Sequence, residues 1–366
     1  MAADFRPETL LRAHIRRMEA YTPILPFEVL SQQLGLPIEQ IVKLDANENP
    51  YGPLPQVQAA LAEEPFLHIY PDPEARLLRT ALSATTQVPV ENLLAGAGAD
   101  ELIDLVLRLC LEPGERVLNC PPTFGMYAFD TEVNAGRVIS VPRRADFSLD
   151  LETIAAAVAK EQPKLLFLAS PNNPDGGLAP RQVIEQLLEL PLIVVLDEAY
   201  LEFAGDDLSW LSEVTQRDNL VVLRTFSKFA GLAGLRVGYG AFPSWMMPHL
   251  WKIKQPYNVS VAASQAAILS LQHAGDLEAR ASLIIAQRLR LFQALQAIPW
   301  LQPYPSQANF ILCRVLDRDA AQLKADLARR GILIRYFNKP GLQDHIRISI
   351  GTPAQIDRLL QTLGAM

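Results

Sequence analysis

The chain has 366 residues, 49% hydrophobic and 20% charged, which is enough for a large core and suggests about two domains. A formal net charge of -7 argues against nucleic acid or an anionic membrane surface as the main partner, and no apolar run is long enough to span a bilayer. Cys110, Cys120 and Cys313 lie far apart without CxxC spacing and read as reduced structural residues of a cytosolic protein, while the 5 histidines form no metal-ligand pattern.

The first segment, Asp4 to Glu19, mixes acids with Arg12, Arg16 and Arg17 and has no signal-peptide core. Within it, residues 9–20 are expected to form an amphipathic helix with Leu10, Leu11, Ile15 and Met18 on one side. Pro23, Pro26 and Pro37 then mark an arm. Leu44-Asp45-Ala46-Asn47-Glu48-Asn49-Pro50-Tyr51-Gly52 is dense in turn formers and reads as a fixed loop, and Tyr70-Pro71-Asp72-Pro73 as a second rigid one. From there to about residue 245, strand-like segments (Arg116–Asn119, Val138–Val141, Lys164–Leu168, Leu192–Leu196, Leu220–Leu223, Val237–Ala241) alternate with helices such as Asp100–Leu111 and Arg181–Leu188. Such alternation predicts an α/β fold with a mostly parallel sheet sandwiched by helices. The final third is helix-rich and reads as a smaller α+β domain. The expected division is therefore residues 1–45 as the arm and part of the small domain, 46–260 as the large domain and 261–366 as the small C-terminal domain.

Chemistry-bearing residues recur at the ends of these strands, where an open sheet forms its crevice. Gly96-Ala97-Gly98-Ala99-Asp100-Glu101 opens an apolar helix whose exposed N–H groups and dipole suit a phosphate. Glu101 rules out a dinucleotide fingerprint, and a plain tight turn with Asp100 as helix cap is equally open. Phe124, after the strand at 116–119, is placed to stack on a flat ring, although aromatics there are more often core. Ser170-Pro171-Asn172-Asn173-Pro174-Asp175-Gly176-Gly177 is by itself more often a turn than a site. Asp197, ending a continuous apolar run, is costly to bury without a partner such as a protonated pyridine nitrogen, and Tyr200 is close enough in sequence to reach a ring hydroxyl. Lys228, in Arg224-Thr225-Phe226-Ser227-Lys228, is a candidate Schiff-base nucleophile for pyridoxal phosphate, with Ser227 and Arg236 able to meet its phosphate. Each signal alone is weak, but together they fit one ligand.

These motifs, from Leu44-Asp45-Ala46-Asn47-Glu48-Asn49-Pro50 to Arg347-Ile348-Ser349-Ile350-Gly351, resemble the fold-type I pyridoxal-phosphate aminotransferases, and within them the histidinol-phosphate aminotransferase family. The resemblance implies a large domain with a seven-stranded-type sheet and a smaller α+β domain. It assigns Lys228 the Schiff base and proton shuttle, Asp197 the pyridine nitrogen, and Asn173 and Tyr200 the ring oxygen. Phe124 would stack on the ring, while Gly98, Ala99, Asp100, Ser227 and Arg236 would line the phosphate site. Tyr70 would reach the cofactor phosphate of the neighbouring subunit in a homodimer, and Arg347 would clamp the substrate's carboxylate, or the phosphate in its place, with Arg335 near the substrate. The partners implied are small amino donors and 2-oxo acids. Two positions depart from the family pattern: Asp175 replaces a threonine, which is expected to change only the loop, and Phe27 stands where a substrate-binding tyrosine is expected. An aromatic aminotransferase or a threonine-phosphate decarboxylase of the same fold remains an alternative, as does a non-catalytic ligand sensor, although no basic helix-turn-helix segment is apparent.

Overall fold

The computed structural model describes residues 6–20 and 25–366, so Asp4 and Pro23 of the expected arm lie outside the described residues. The chain builds two sheets. The larger has the order β2-β8-β7-β6-β5-β3-β4, formed by β2 (Leu93–Gly96), β3 (Arg116–Asn119), β4 (Arg137–Ser140), β5 (Leu165–Ala169), β6 (Ile193–Asp197), β7 (Leu220–Thr225) and β8 (Gly238–Ala241). All neighbours are parallel except β8, which runs antiparallel to both β2 and β7. The smaller sheet has the order β1-β11-β12-β10-β9, formed by β1 (Val42–Leu44), β9 (Leu301–Pro303), β10 (Phe310–Val315), β11 (Ile332–Tyr336) and β12 (His345–Ser349).

The central strands are apolar throughout because helices cover both faces of the sheet. Along β6, Val194 and Leu196 join the core on one face while Val195 joins the core on the other; along β7, Val222 alternates with Val221 and Leu223 in the same way. The helix Ala99–Cys110 covers one face with Leu102, Ile103, Val106 and their neighbours. On the other face, Val261–Gln272 packs against Pro55–Ala62 and Arg76–Thr86. The 23-residue helix Ala274–Gln296 then carries the chain to the small sheet, whose own core includes Ile346 and Ile348 of β12. The alternate residues of β12, His345 and Arg347, line a cleft between the two sheets.

The expected helix over 9–20 is not formed. The segment makes two short 3₁₀ turns, Pro7–Leu10 and Ile15–Arg17, and Leu10 and Leu11 remain 74% and 56% exposed. Most of its apolar stripe is not covered by the described residues, and a helix that short does not hold without a surface to pack on. The expected strands are each present within a residue or two, whereas β2 was not foreseen as a strand.

An ion pair fixes the strand ends that matter most. Arg224 of β7 is buried, with Nε donating to Glu198 Oε2 at 3.0 Å and Nη1 3.6 Å from Glu202. Glu198, directly after β6, also accepts from Ser209 Oγ and Trp210 N, both at 2.7 Å. The Arg224→Met substitution leaves these carboxylates without their cation, so urea unfolding should show a loss of about 3–5 kcal/mol. A loss below about 1 kcal/mol would mean that the pair does not anchor β6 to β7.

Candidate active site

The carboxyl ends of β5, β6 and β7 surround a cavity of about 140 Å³, which Lys228, Asp197, Tyr200, Asn173, Phe124, Ser227 and Arg236 line together with Ala99 and Asp100. It meets a larger cleft of about 1100 Å³ across Phe124, Asn173, Tyr200 and Lys228, and Arg335 and Arg347 line that cleft. Twelve of the thirteen residues expected at a site therefore converge here, counting Gly98 as the residue that caps the helix beginning at Ala99. The exception is Tyr70, which lies apart on the surface, 80% exposed and stacked on Tyr257 at 4.7 Å between ring centres.

Lys228 projects from the loop after β7, and its Nζ donates to Ala46 O at 3.2 Å. Burial pushes its ammonium down to about 8, with the nearby Arg347 adding to the effect. At pH 7 the nucleophilic neutral amine is then about one part in ten, rather than about one in three thousand for a free lysine. Asp197 closes β6. Burial pushes its carboxyl up to about 6, even though Tyr127 O–H donates to Oδ2 at 2.6 Å and Ala199 N–H donates to Oδ1 at 3.0 Å. No ion pair compensates it among the described residues.

Tyr200 is buried, and its phenol is pushed up chiefly by that burial. Its oxygen accepts from Asn47 Nδ2 at 3.1 Å, which leaves its own proton free to donate into the cavity. Asn173 accepts from Arg347 Nη1 at 2.6 Å through Oδ1, so its N–H groups are the end offered to the cavity. Arg347 also donates through Nη2 to Asp45 O at 2.8 Å. Arg335 lies opposite Arg347 in the β11–β12 register, and their guanidinium groups lie 5.6 and 5.5 Å from the centre of the Phe337 ring on the same cleft.

At the other end, Gly98 has φ +83°, and a Cβ there would come within 2.5 Å of Arg236 Nη2. Arg236 pairs with Asp100 Oδ2 at 2.8 Å, which places its guanidinium at the start of the helix. A Cβ at Gly238 would likewise press on Ala99 N at 2.7 Å. Thr225 Oγ1 donates to Ser227 Oγ at 2.9 Å. These residues form a cradle that a Cβ at Gly98 or Gly238 would crowd, backed by helix N–H groups and an arginine, and such a cradle suits a phosphate. The buried carboxylate of Asp197 suits a cationic ring nitrogen, and Lys228 suits a carbonyl. The residues present therefore fit pyridoxal phosphate.

The sequence reading missed three contributors. Tyr127 meets Asp197 from 70 residues away. Asn47 supports Tyr200, and its own Oδ1 accepts from Ser349 Oγ at 3.0 Å. Thr225 holds Ser227. Of these, only Asn47 stood in a segment marked as a fixed loop. Asp175, the departure within the Asn172–Gly177 loop, pairs with Asn172 Nδ2 and accepts from Gly177 N at 2.8 Å, so it works inside the loop as expected. Phe27 begins the helix Phe27–Leu34, with Lys43 Nζ 6.0 Å above its ring.

Residues 39–363 match the family described as Aminotransferase class I and II, and the chain belongs to that family. Within it, the chain belongs with the histidinol-phosphate aminotransferases. It is 52% identical over 357 residues to the chloroplastic histidinol-phosphate aminotransferase of Nicotiana plumbaginifolia, covering 97% of this chain and 86% of that protein. The same identity holds over 362 residues with the histidinol-phosphate aminotransferase of Roseiflexus castenholzii, covering 97% of each. Among solved structures, the histidinol-phosphate aminotransferase of Sinorhizobium meliloti in complex with pyridoxal-5'-phosphate gives a TM-score of 0.88 at 30% identity, covering 97% of this chain and 96% of that one. The resemblance read from the motifs is borne out.

The Tyr127–Asp197 contact can be tested without activity. Tyr127→Phe removes a hydrogen bond to a charged group, a change worth about 1.5–3 kcal/mol, and should raise the Asp197 carboxyl by about one to two pH units. Infrared titration of the protonated carboxyl band should show this shift. An unchanged midpoint would rule out Tyr127 as the group that holds Asp197 down.

Proposed function

We propose that this protein is a pyridoxal-phosphate aminotransferase that converts histidinol phosphate and 2-oxoglutarate to imidazole-acetol phosphate and glutamate. The observation that carries this reading is the meeting of Lys228 and Asp197 on one small cavity that opens onto a cleft walled by Arg335 and Arg347. When bound, pyridoxal phosphate supplies an electron sink for the bond being broken at the substrate's Cα.

The chain's own residues do the rest. Lys228 would hold the cofactor carbonyl and would take and return the proton at the substrate's Cα. Its lowered basicity suits it to taking that proton near neutral pH. Asp197 keeps the ring nitrogen protonated, with Tyr127 holding the carboxylate oriented. Tyr200 and Asn173 donate to the ring oxygen, and Phe124 covers the ring. Gly98, Ala99, Asp100, Ser227 and Arg236 hold the phosphate. Arg347 and Arg335 present planar donor forks to the one anionic group that each substrate brings to this place, the phosphate of histidinol phosphate or the α-carboxylate of glutamate.

The reading extends to a homodimer with shared sites. Tyr70 sits on an exposed apolar ridge with Phe66, Leu67 and Ile69, which are 61%, 64% and 52% exposed. It extends also to a reducing compartment such as the cytosol, in keeping with three free cysteines.

Purified protein should transfer the amino group of histidinol phosphate to 2-oxoglutarate in preference to that of phenylalanine, without releasing carbon dioxide from threonine phosphate. The Lys228→Ala protein should fold normally and give no multiple turnover. Activity with phenylalanine alone, or decarboxylation of threonine phosphate, would move the chain to one of the alternative classes.

Shared sites have their own test. Mixing inactive Lys228→Ala protein with impaired Tyr70→Phe protein should partly restore activity, because a hybrid dimer has one site free of both lesions. No recovery, once subunit exchange is demonstrated, would place each site within a single chain.

A further inference from the structure

The turn after β4 holds Phe147 at φ +65°, a region that bulky side chains rarely occupy. Four hydrogen bonds enforce it. Phe147 N donates to Arg144 O at 2.9 Å and Arg144 N to Ser148 O at 2.9 Å. Arg143 Nη1 donates to Phe147 O at 3.0 Å, and its Nε donates to Cys120 O at 3.2 Å. Backbone strain of this kind persists where the surroundings over-determine it, and it is found at sites where the delivered group has work to do.

The group delivered here is the Phe147 ring. It is 9% exposed, meets Tyr304 edge-on at 5.0 Å between ring centres and lies 6.1 Å from the His345 ring. Leu312 and Leu342 complete the cluster. Phe147 leaves the loop after β4 of the large sheet, whereas Leu312 and His345 belong to the small one, so the ring reaches across the cleft. Phe147, Tyr304, Leu342 and His345 all line the same cleft as Lys228. His345 and Arg347 are alternate residues on one face of β12, about 7 Å apart along the strand. The aromatic wall therefore begins about one side-chain length beyond the arginine that faces the substrate's anionic group.

We propose that Phe147 is a specificity-determining residue that closes the outer end of the substrate cleft and limits the bulk of the amino donor's side chain. The proposal rests on the aminotransferase reading above. Its test compares kcat/KM for tryptophan with kcat/KM for glutamate as donor, in the wild type and three variants. Phe147→Gly removes the ring and suits the left-handed backbone, while Leu342→Ala, a buried residue of the same wall, opens the same end without touching the turn. Phe147→Leu is the conservative control.

In Phe147→Gly the tryptophan-to-glutamate ratio should rise roughly tenfold or more, through a lower KM for tryptophan, and Leu342→Ala should shift it in the same direction. Phe147→Leu should keep the ratio within about twofold of the wild type. An unchanged ratio in Phe147→Gly, or an equal loss with both donors, overturns the proposal. Should that variant fail to fold, Leu342→Ala decides by the same criterion. A wild type with no transamination at all overturns the functional reading and this proposal with it, whereas an active wild type with unmoved ratios overturns this proposal alone.

Discussion

A carboxylate placed at the end of a buried strand with no cation beside it sets the terms for the rest of this structure. Asp197 keeps its proton to about pH 6 in the folded chain, against 3.8 for the ordinary carboxyl. The folded chain thus binds more protons than the unfolded one between those values. Asp197's contribution to stability therefore falls as pH rises through that window, by up to about 3 kcal/mol, and the deficit persists above it. A cation arriving next to Asp197 removes the deficit. The same burial that makes Asp197 costly makes Lys228 less basic, so one buried cavity prepares a charge-seeking acid at the end of one strand and an amine of lowered basicity just past its neighbour. The Arg224–Glu198 pair keeps those strands in step.

The Asp45–Asn49 loop ties this chemistry to the small sheet. Its carbonyls at Asp45 and Ala46 accept from Arg347 and Lys228, which line the same cleft. Asn47 bridges Tyr200 and Ser349, and its carbonyl accepts from Asn309 Nδ2 at 2.9 Å. A shift of β12 is thus felt at Tyr200 and at Lys228 through one short stretch of backbone.

The strand ends were legible in the sequence because each pairs a continuous apolar run with an abrupt polar residue. Leu192–Leu196 followed by Asp197, and Leu220–Leu223 followed by Arg224 with Lys228 shortly after, need no partner sequence to be noticed. Tyr127 was not legible, because its role depends on a contact made 70 residues away through a helix that starts at Met126. The antiparallel course of β8 was hidden for a related reason: strand direction is set by the connection, and the span between Thr225 and Gly238 contains only a short 3₁₀ turn. The N-terminal segment misled because its apolar spacing is helical, yet the described residues leave Leu10 and Leu11 exposed.

The strand order also has a consequence in time. β2 ends at Gly96 and leads into Gly98, but among the described residues its hydrogen-bonded neighbour is β8 alone, with Gly96 opposite Gly238. A ribosome adding about 5–20 residues per second needs on the order of 7–30 s to travel between those two positions. Through that interval β5, β6 and β7 can pair with one another as they emerge, while Leu93–Gly96 waits with both edges bare. The end of the cavity lined by Ala99 and Asp100 is therefore the last to be stitched into the sheet during synthesis, and the end that carries Asp197 is built first.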